Sequence, residues 1–374
     1  MRFVFVGGGT GGHFYPLIAI AESLRAPKQS QPLSVELFYM GPNEYDAAAL
    51  HTAGIAFVRC PSGKYRRYRS ILNLLDTFSV GIGFFVALWK LFMLYPDVVM
   101  SKGGYTSVPV VTAAWLLRIP IVMHESDVVP GKANMLARHF ATFIAISYPE
   151  SAQYFLASKT ALTGIPMRSD LQTATSPQQY SSLGIDTSLP LILILGGSQG
   201  AERVNNLILE TLDELLPQFN VIHQTGKNLL EGVKQTALSL IKDETLLARY
   251  HPVSFMSAEV LHVAISAAAV VISRAGSTTI HEVAMHGKPL ILIPIPEDIS
   301  HDQRSNAYAF ARRGGGTVIE EHNLTDGLLV AEITRIMGDP GLYERMSQAA
   351  SAFAPTDAAH TISETLLQIG KSHE

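Results

Sequence analysis

Short, nearly continuous apolar runs alternate along this chain with segments whose apolar residues recur at helical spacing. In the first half "RFVFV", "SVELFYM", "DVVM", "IPIVM" and "FIAIS" predict strands, with helices between them. Around 164–190 the alternation breaks. The stretch "GIPMRSDLQTATSPQQYSSLGIDTSLP" is rich in Gly, Pro, Ser and Thr and reads as a connector. A second series follows, "LILIL", "NVIHQ", "AVVIS" and "PLILIPI", again with helical patterns between. Strands without polar alternation are buried on both faces, so each series predicts a parallel sheet covered by helices. The expected fold class is α/β, two Rossmann-like domains over 1–164 and 165–355. A C-terminal helix over 356–374, opened by Pro355 and Thr356, could pack back on either domain, the first being one candidate. Ligands of such sheets bind beyond the strand carboxyl ends, so a cleft faced by both sheets is the expected site.

Glycines mark those strand ends. Gly7, Gly9 and Gly12 in "FVFVGGGTGGHFYP" satisfy G-x-G-x-x-G between a strand and a helix. Glycine lets the backbone approach a ligand, and the following helix offers free N–H groups to an anion. The dinucleotide reading also needs an acid at the end of the second strand. That strand ends "LFYMGPN" and Glu36 falls within it, which argues against NAD. A second loop, "GGSQGAERVNN" with Gly196, Gly197, Ser198 and Gly200, opens the second series. Tight strand-to-helix turns need glycine anyway, but two such loops in corresponding places point to a phosphate-bearing ligand.

Further on, "ISRAGSTTIHEVAMHGKPLILIP" carries Arg274 at a strand end and Ser277, Thr278 and Thr279 at a helix start. These hydroxyls suit either a helix cap or a ligand. Glu282 lies one turn into that helix, where a carboxylate accepts from two vicinal ribose hydroxyls. In "HDQRSNA", Asp302, Gln303 and Asn306 stand where another strand gives way to a helix, and amides there suit sugar hydroxyls. Helix N-termini, a carboxylate and amides together describe a site for a nucleotide diphosphate-sugar.

Composition narrows the remaining choices. At 374 residues and 47 % hydrophobic, the chain has ample material for two cores. Its net charge of −4 argues against general nucleic-acid binding. The single cysteine, Cys60, excludes an internal disulfide and fits a reducing compartment. The opening "MRFVFVGGG" runs straight into a strand and lacks the pattern of a signal peptide.

The stretches "GGGTGGHFYP", "GGYTSVPVVTAAWLLRIPIVMHESDVVPGKAN", "GIPMR", "GGSQGAERVNN", "ISRAGSTTIHEVAMHGKPLILIP" and "DQRSNA" resemble, from end to end, the MurG family of GT-B glycosyltransferases. The resemblance implies transfer of N-acetylglucosamine from UDP-N-acetylglucosamine to a polyprenyl-linked muramyl-pentapeptide acceptor, without a metal or other cofactor. It implies that Thr10, Gly11 and Gly12 approach the sugar and diphosphate, and that Arg168 and Ser198 bind phosphates. Met256 would flank uracil through its backbone, Ser277 to Thr279 would line the nucleotide, Glu282 would hold the ribose, and Gln303 the sugar hydroxyls. Asn134 joins the substrate-binding set. Ser126-Asp127 departs from the Gln-Asn of many members. Alternatives are another GT-B glycosyltransferase with a lipid acceptor, a sugar-nucleotide epimerase of similar fold, and a nucleotide-sugar-binding protein without turnover.

Transfer to an acceptor hydroxyl needs a base. His13, just after the first loop, is the expected one, kept neutral by the helix N-terminus. Glu125 is a second catalytic candidate, and with His124 it is placed to shape the acceptor pocket or orient His13. From Phe78 to Tyr95 the only charge is Lys90, close to the length of a membrane span. Because this run lies between strands of one sheet, a buried helix with an exposed apolar edge is expected. Lys64, Arg66, Arg67 and Arg69 precede it, a combination suited to an anionic membrane surface on the cytoplasmic side.

Overall fold

The computed structural model describes residues 1–26, 34–63, 71–168, 175, 179–180, 183–196, 201–297, 301–355 and 357–373. The chain forms two compact units, Met1–Asp170 with Pro355–Glu374, and Leu171–Ala354.

The first unit runs β1 (Arg2–Gly7), α1 (Gly11–Arg25), β2 (Glu36–Gly41), α2 (Ala47–Thr52), β3 (Ile55–Arg59) and α3 (Ile71–Leu94). It continues with β4 (Val98–Gly103), α4 (Ser107–Leu116), β5 (Ile121–Glu125), α5 (Lys132–Ala137), β6 (Phe143–Ile146) and β7 (Thr160–Leu162). The second unit begins β8 (Leu191–Leu195), α6 (Glu202–Leu215), β9 (Asn220–Gln224), α7 (Leu230–Leu240), α8 (Glu244–Leu247), β10 (Tyr250–Val253) and α9 (Ala258–Ala267). It ends β11 (Ala268–Ser273), α10 (Ser277–Met285), β12 (Leu290–Leu292), α11 (His301–Ala311), β13 (Gly316–Val318), α12 (Asp326–Gly338) and α13 (Pro340–Phe353). The final helix, α14 (Ala358–His373), returns to the first unit.

Both sheets are parallel throughout, in the orders β3-β2-β1-β4-β5-β6-β7 and β10-β9-β8-β11-β12-β13. Sequence order reverses between β1 and β4 in one and between β8 and β11 in the other. Those are the topological switch points, where helices leave to opposite faces and open a crevice. The strands beside them are buried on both faces: β4 and β8 have no exposed residue. Helix α14 seats Ile362, Leu366 and Leu367 in the same core as Leu17, Ile20 and Leu24 of α1. A bond between the Ser23 and Ser363 hydroxyls at 2.9 Å joins the two helices. Each of those aliphatic side chains contributes roughly 1.5–3 kcal/mol by burial, so the tail is a structural part of the first unit.

Helix α3 is two-faced over its described side chains. Ala87 and Leu91 lie in the core, while Ile82, Phe85, Trp89, Phe92 and Met93 are exposed along one face. Among the described residues no helix is long and apolar enough to cross a membrane. Lys90 turns its ammonium to the Arg59 carbonyl at 2.7 Å. The basic residues Lys64, Arg66, Arg67 and Arg69 lie outside the described residues.

Candidate active site

Helix openings in the two units are of two kinds. Helices α2, α8, α9, α12 and α13 carry side-chain caps from Asp46, Asp243, Ser257, Thr325 and Asp339. Helices α1, α4, α6 and α10, which leave the switch points, begin without one, as do α5 and α7. The N-terminus of a helix, with its N–H groups and positive dipole end, is suited to an anion. Ser277, Thr278 and Thr279 sit inside the first turn of α10, after a glycine at the cap position, so they are not its caps.

In the first unit the loops after β1 and β4 touch through their backbones. Gly104 has φ +78°, and a Cβ there would stand 2.7 Å from the Gly8 carbonyl oxygen, so glycine is required. Thr10 precedes α1 and Gly11 and Gly12 begin it. The Thr10 hydroxyl bonds His13 Nδ1 at 2.7 Å, the ring's one hydrogen bond among the described residues. His13 is drawn down from the usual 6.5 to about 4, first by burial and then by the charge of Lys102. Burial and the Lys102 charge thus act in the same direction as the helix N-terminus expected from the sequence. The orienting partner of His13 is Thr10, in place of His124 or Glu125.

His124 is fully buried and bonds the Gly164 carbonyl through Nε2 at 2.8 Å. Glu125 ends β5, also buried. Its Oε1 accepts from the Asp127 N–H at 2.9 Å, and its Oε2 from Asn134 Nδ2 at 2.8 Å and the Gly131 N–H at 3.3 Å. Asn134 also donates to the His124 carbonyl at 3.1 Å, and it is only 5 % exposed, so its amide serves the β5 loop. Burial raises Glu125, the neighbouring Asp127 adds to this, and hydrogen bonds and Lys102 oppose it. Lys102, which sequence reasoning passed over, is buried at the end of β4 and donates from Nζ to Ser126 Oγ. Arg168 lies near enough to Tyr15 for its charge to act on that phenol, which burial and Asp46 raise.

In the second unit the loop holding Gly197, Ser198 and Gly200 lies outside the described residues, as does the side chain of Asp302. Glu282 stands on α10 without a hydrogen bond or ion pair among the described residues, and burial pushes its carboxyl up to about 7. The Met256 N–H donates to Gln224 Oε1 at 3.1 Å, so Gln224, at the end of β9, fixes that backbone. Gln303 Oε1 accepts from the Ile295 N–H at 3.3 Å. Asn306 is fully buried and donates to the Ala275 carbonyl at 3.4 Å, tying α11 to the turn before α10. Arg274 pairs with Glu321 and donates to the Ile293 carbonyl at 3.2 Å.

Comparison with known proteins agrees along the whole chain. The glycosyltransferase family 28 N-terminal domain matches residues 3–146 and the family's C-terminal domain residues 191–362. A UDP-N-acetylglucosamine--N-acetylmuramyl-(pentapeptide) pyrophosphoryl-undecaprenol N-acetylglucosamine transferase from Treponema denticola is 34 % identical, covering 97 % of this chain and 96 % of its own. One of the same name from Clostridium botulinum is 34 % identical over 91 % of this chain and 92 % of its own. Among solved structures, MurG of Acinetobacter baumannii superposes with a TM-score of 0.73 at 22 % identity, over 98 % of this chain and 99 % of that one. A UDP-GlcNAc 2-epimerase from Neisseria meningitidis gives 0.71 at 15 %, over 98 % and 100 %. At these identities the structural likenesses show the fold alone, which is GT-B. The chain belongs to glycosyltransferase family 28, and within it to the MurG-type N-acetylglucosaminyltransferases.

Proposed function

We infer that this protein transfers N-acetylglucosamine, with inversion, from UDP-N-acetylglucosamine to undecaprenyl-pyrophosphoryl-N-acetylmuramoyl-pentapeptide in peptidoglycan synthesis. The observation that carries this is the identity of about a third with transferases of that name, kept across both domains. In this reading the His13 Nδ1–H donates to Thr10, leaving the Nε2 lone pair to take the acceptor's proton. The acceptor oxygen attacks the anomeric carbon as the bond to the β-phosphate breaks, and UDP leaves with the electron pair. Uncapped helix N-termini, Arg168 and the loop containing Ser198 steady the diphosphate. Glu282 accepts from the ribose hydroxyls, Ser277 to Thr279 and Met256 line the nucleotide, and Gln303 meets the sugar.

Glu282 supports the donor assignment. A half-buried carboxylate with no partner among the described residues loses part of its hydration without recompense, and two ligand hydroxyls would restore it. For the acceptor, the exposed row on α3 with Trp115 and Leu116 supplies an apolar surface on the first unit. It suits a peripheral seat on an anionic membrane at the cytoplasmic face, where a polyprenyl-linked substrate is reached.

Incubation with UDP-N-acetylglucosamine and the lipid-linked muramyl acceptor, followed by mass spectrometry, tests the reading. The acceptor is expected to gain one N-acetylhexosamine unit. Epimerised nucleotide sugar with unchanged acceptor would assign the chain to the other chemistry found on this fold.

A further inference from the structure

We propose that Lys102 is a positioning residue of the transfer reaction, an internal cation that ties the Ser126–Asp127 loop to the floor of the first glycine loop and faces His13 with a fixed charge. The inference deepens the reading above and rests on it for the role of His13.

The placement follows from the sheet. Strands β4 and β5 are neighbours, with Ser101 opposite Met123, so the ends of both strands lie side by side. Lys102 comes next along β4, and at 2 % exposure its ammonium cannot reach solvent or a diphosphate directly. Its stem lies under the first loop: a Cβ at Gly7 would stand 2.7 Å from Lys102 Cβ. Glycine at position 7 therefore leaves room for a side chain at position 102. From there Nζ donates to Ser126 Oγ, in the loop after β5.

A buried ammonium persists only where opposite charge and hydrogen bonds replace water. Burial pulls Lys102 down, and the Glu125 and Asp127 carboxylates counter it. Glu125 is in turn held by Asn134 and by the backbone of the same loop. Lys102, Ser126, Glu125 and Asn134 thus form one network in which removal of the cation leaves two carboxylates unbalanced. Lys102 and His13 both adjoin Gly7, where an added Cβ would stand 2.7 Å from Lys102 Cβ and 3.1 Å from the His13 carbonyl oxygen; the ammonium and the imidazole repel when both are charged. Tyr39 and Tyr45 border the same loop. Burial raises both phenols, so they add no charge in the working range, and Tyr39 donates to the Gly7 carbonyl at 2.7 Å. Tyr105 packs its ring on Gly9. Lys102 is the cation of this set.

The consequence is a base that holds a free lone pair at any working pH while the site is empty. When the diphosphates of the substrates arrive, their negative charge opposes that of Lys102. His13 then becomes more basic as the reaction needs it.

The test compares the full-length wild type with Lys102→Met, which keeps the stem and removes the charge. Histidine-labelled protein is titrated by nuclear magnetic resonance, with the His13 signal assigned by its absence in His13→Asn. In Lys102→Met the His13 titration should move up by about one unit or more. The acidic limb of kcat/KM should follow it, with UDP affinity unchanged. A His13 titration that stays at its wild-type position overturns the proposal, whatever happens to turnover. If Lys102→Met does not fold, Lys102→Met/Glu125→Gln keeps the pocket balanced, and His13 must still titrate higher. The two failures separate cleanly. Full turnover in His13→Asn would sink the base assignment, whereas the ring titration reports on Lys102 alone.

Discussion

The Thr10 hydroxyl and the His13 imidazole are joined at Nδ1 across 2.7 Å, one turn apart at the start of α1. The spacing follows from the helix: the His13 N–H bonds the Thr10 carbonyl at 3.1 Å, which brings the two side chains to the same face. Thr10 carries its oxygen to the ring instead of capping the helix. With Nδ1 so engaged, Nε2 is the nitrogen open to a substrate.

Thr10→Val keeps the shape and removes the partner. It should lower kcat roughly 3- to 10-fold, the worth of one hydrogen bond of about 1 kcal/mol. In a His13→Ala background the same change should cost nothing more, because both act through one ring. Additive losses in the double variant would show that Thr10 acts on the substrate independently of His13.

What the sequence revealed divides along the edges of the sheets. The strands β1, β2, β4, β5 and β6 of one sheet and β8, β9, β11 and β12 of the other were legible as apolar runs, and all are interior. The four that were not, β3, β7, β10 and β13, are the outermost strands. An edge strand is half exposed, so "IAFVR", "TAL", "YHPV" and "GTV" are short or mixed, and Pro252 is tolerated only because one side of β10 has no partner. In the site, the glycine loops and His13 were legible because their chemistry is local. Lys102 was not. Its acceptor is 24 residues away and is brought near only by the pairing of β4 with β5; a lone lysine in "SKGG" reads as surface. Gln224, which holds the Met256 backbone 32 residues on, was hidden for the same reason.

Glu282→Gln should separate stability from binding. The folded carboxyl titrates at about 7 against 4.5 when free. Its neutral form is therefore favoured in the native protein, a contribution present below pH 4.5 and lost as pH rises through 7. Without ligand, the glutamine variant should gain ~1–3 kcal/mol at pH 8 and almost nothing at pH 4. It should also bind UDP more weakly and lose discrimination against 2′-deoxyuridine diphosphate. Thermal melts at the two pH values and calorimetry with the two nucleotides are the measurements. Unchanged melting at pH 8 together with undiminished preference for the ribose would remove Glu282 from the site.

Phe85 and Trp89 are 69 % and 66 % exposed on the same face of α3. Phe85→Glu/Trp89→Glu should reduce sedimentation with anionic vesicles by at least 10-fold, because each ring offers apolar area worth on the order of 1.5–3 kcal/mol. Glutamate in place of Arg66, Arg67 and Arg69, or raised salt, should weaken binding further. Activity on a water-soluble acceptor with a shortened lipid should survive. Unchanged vesicle binding in both variants would confine this face to a role other than membrane contact.

His13→Ala should lower turnover by roughly 10²–10⁴-fold, the worth of a positioned general base, and leave UDP affinity close to wild type. The pH profiles carry more information than the rate. In the empty protein His13 titrates at about 4, so the acidic limb of kcat/KM, which reports the free enzyme, should fall near that value. The limb of kcat reports the loaded enzyme, where two diphosphates stand near the ring, and opposite charge favours the protonated form. It should therefore lie at higher pH than the limb of kcat/KM. Both limbs should vanish in His13→Ala, and His13→Asn should restore little, since an amide holds a hydrogen bond but accepts no proton at neutral pH. Retention of the wild-type limbs in His13→Ala would move the base to a carboxylate, with Asp127 ahead of Glu125. Glu125 already accepts from two backbone N–H groups and one side-chain amide, which leaves it little capacity for a substrate proton.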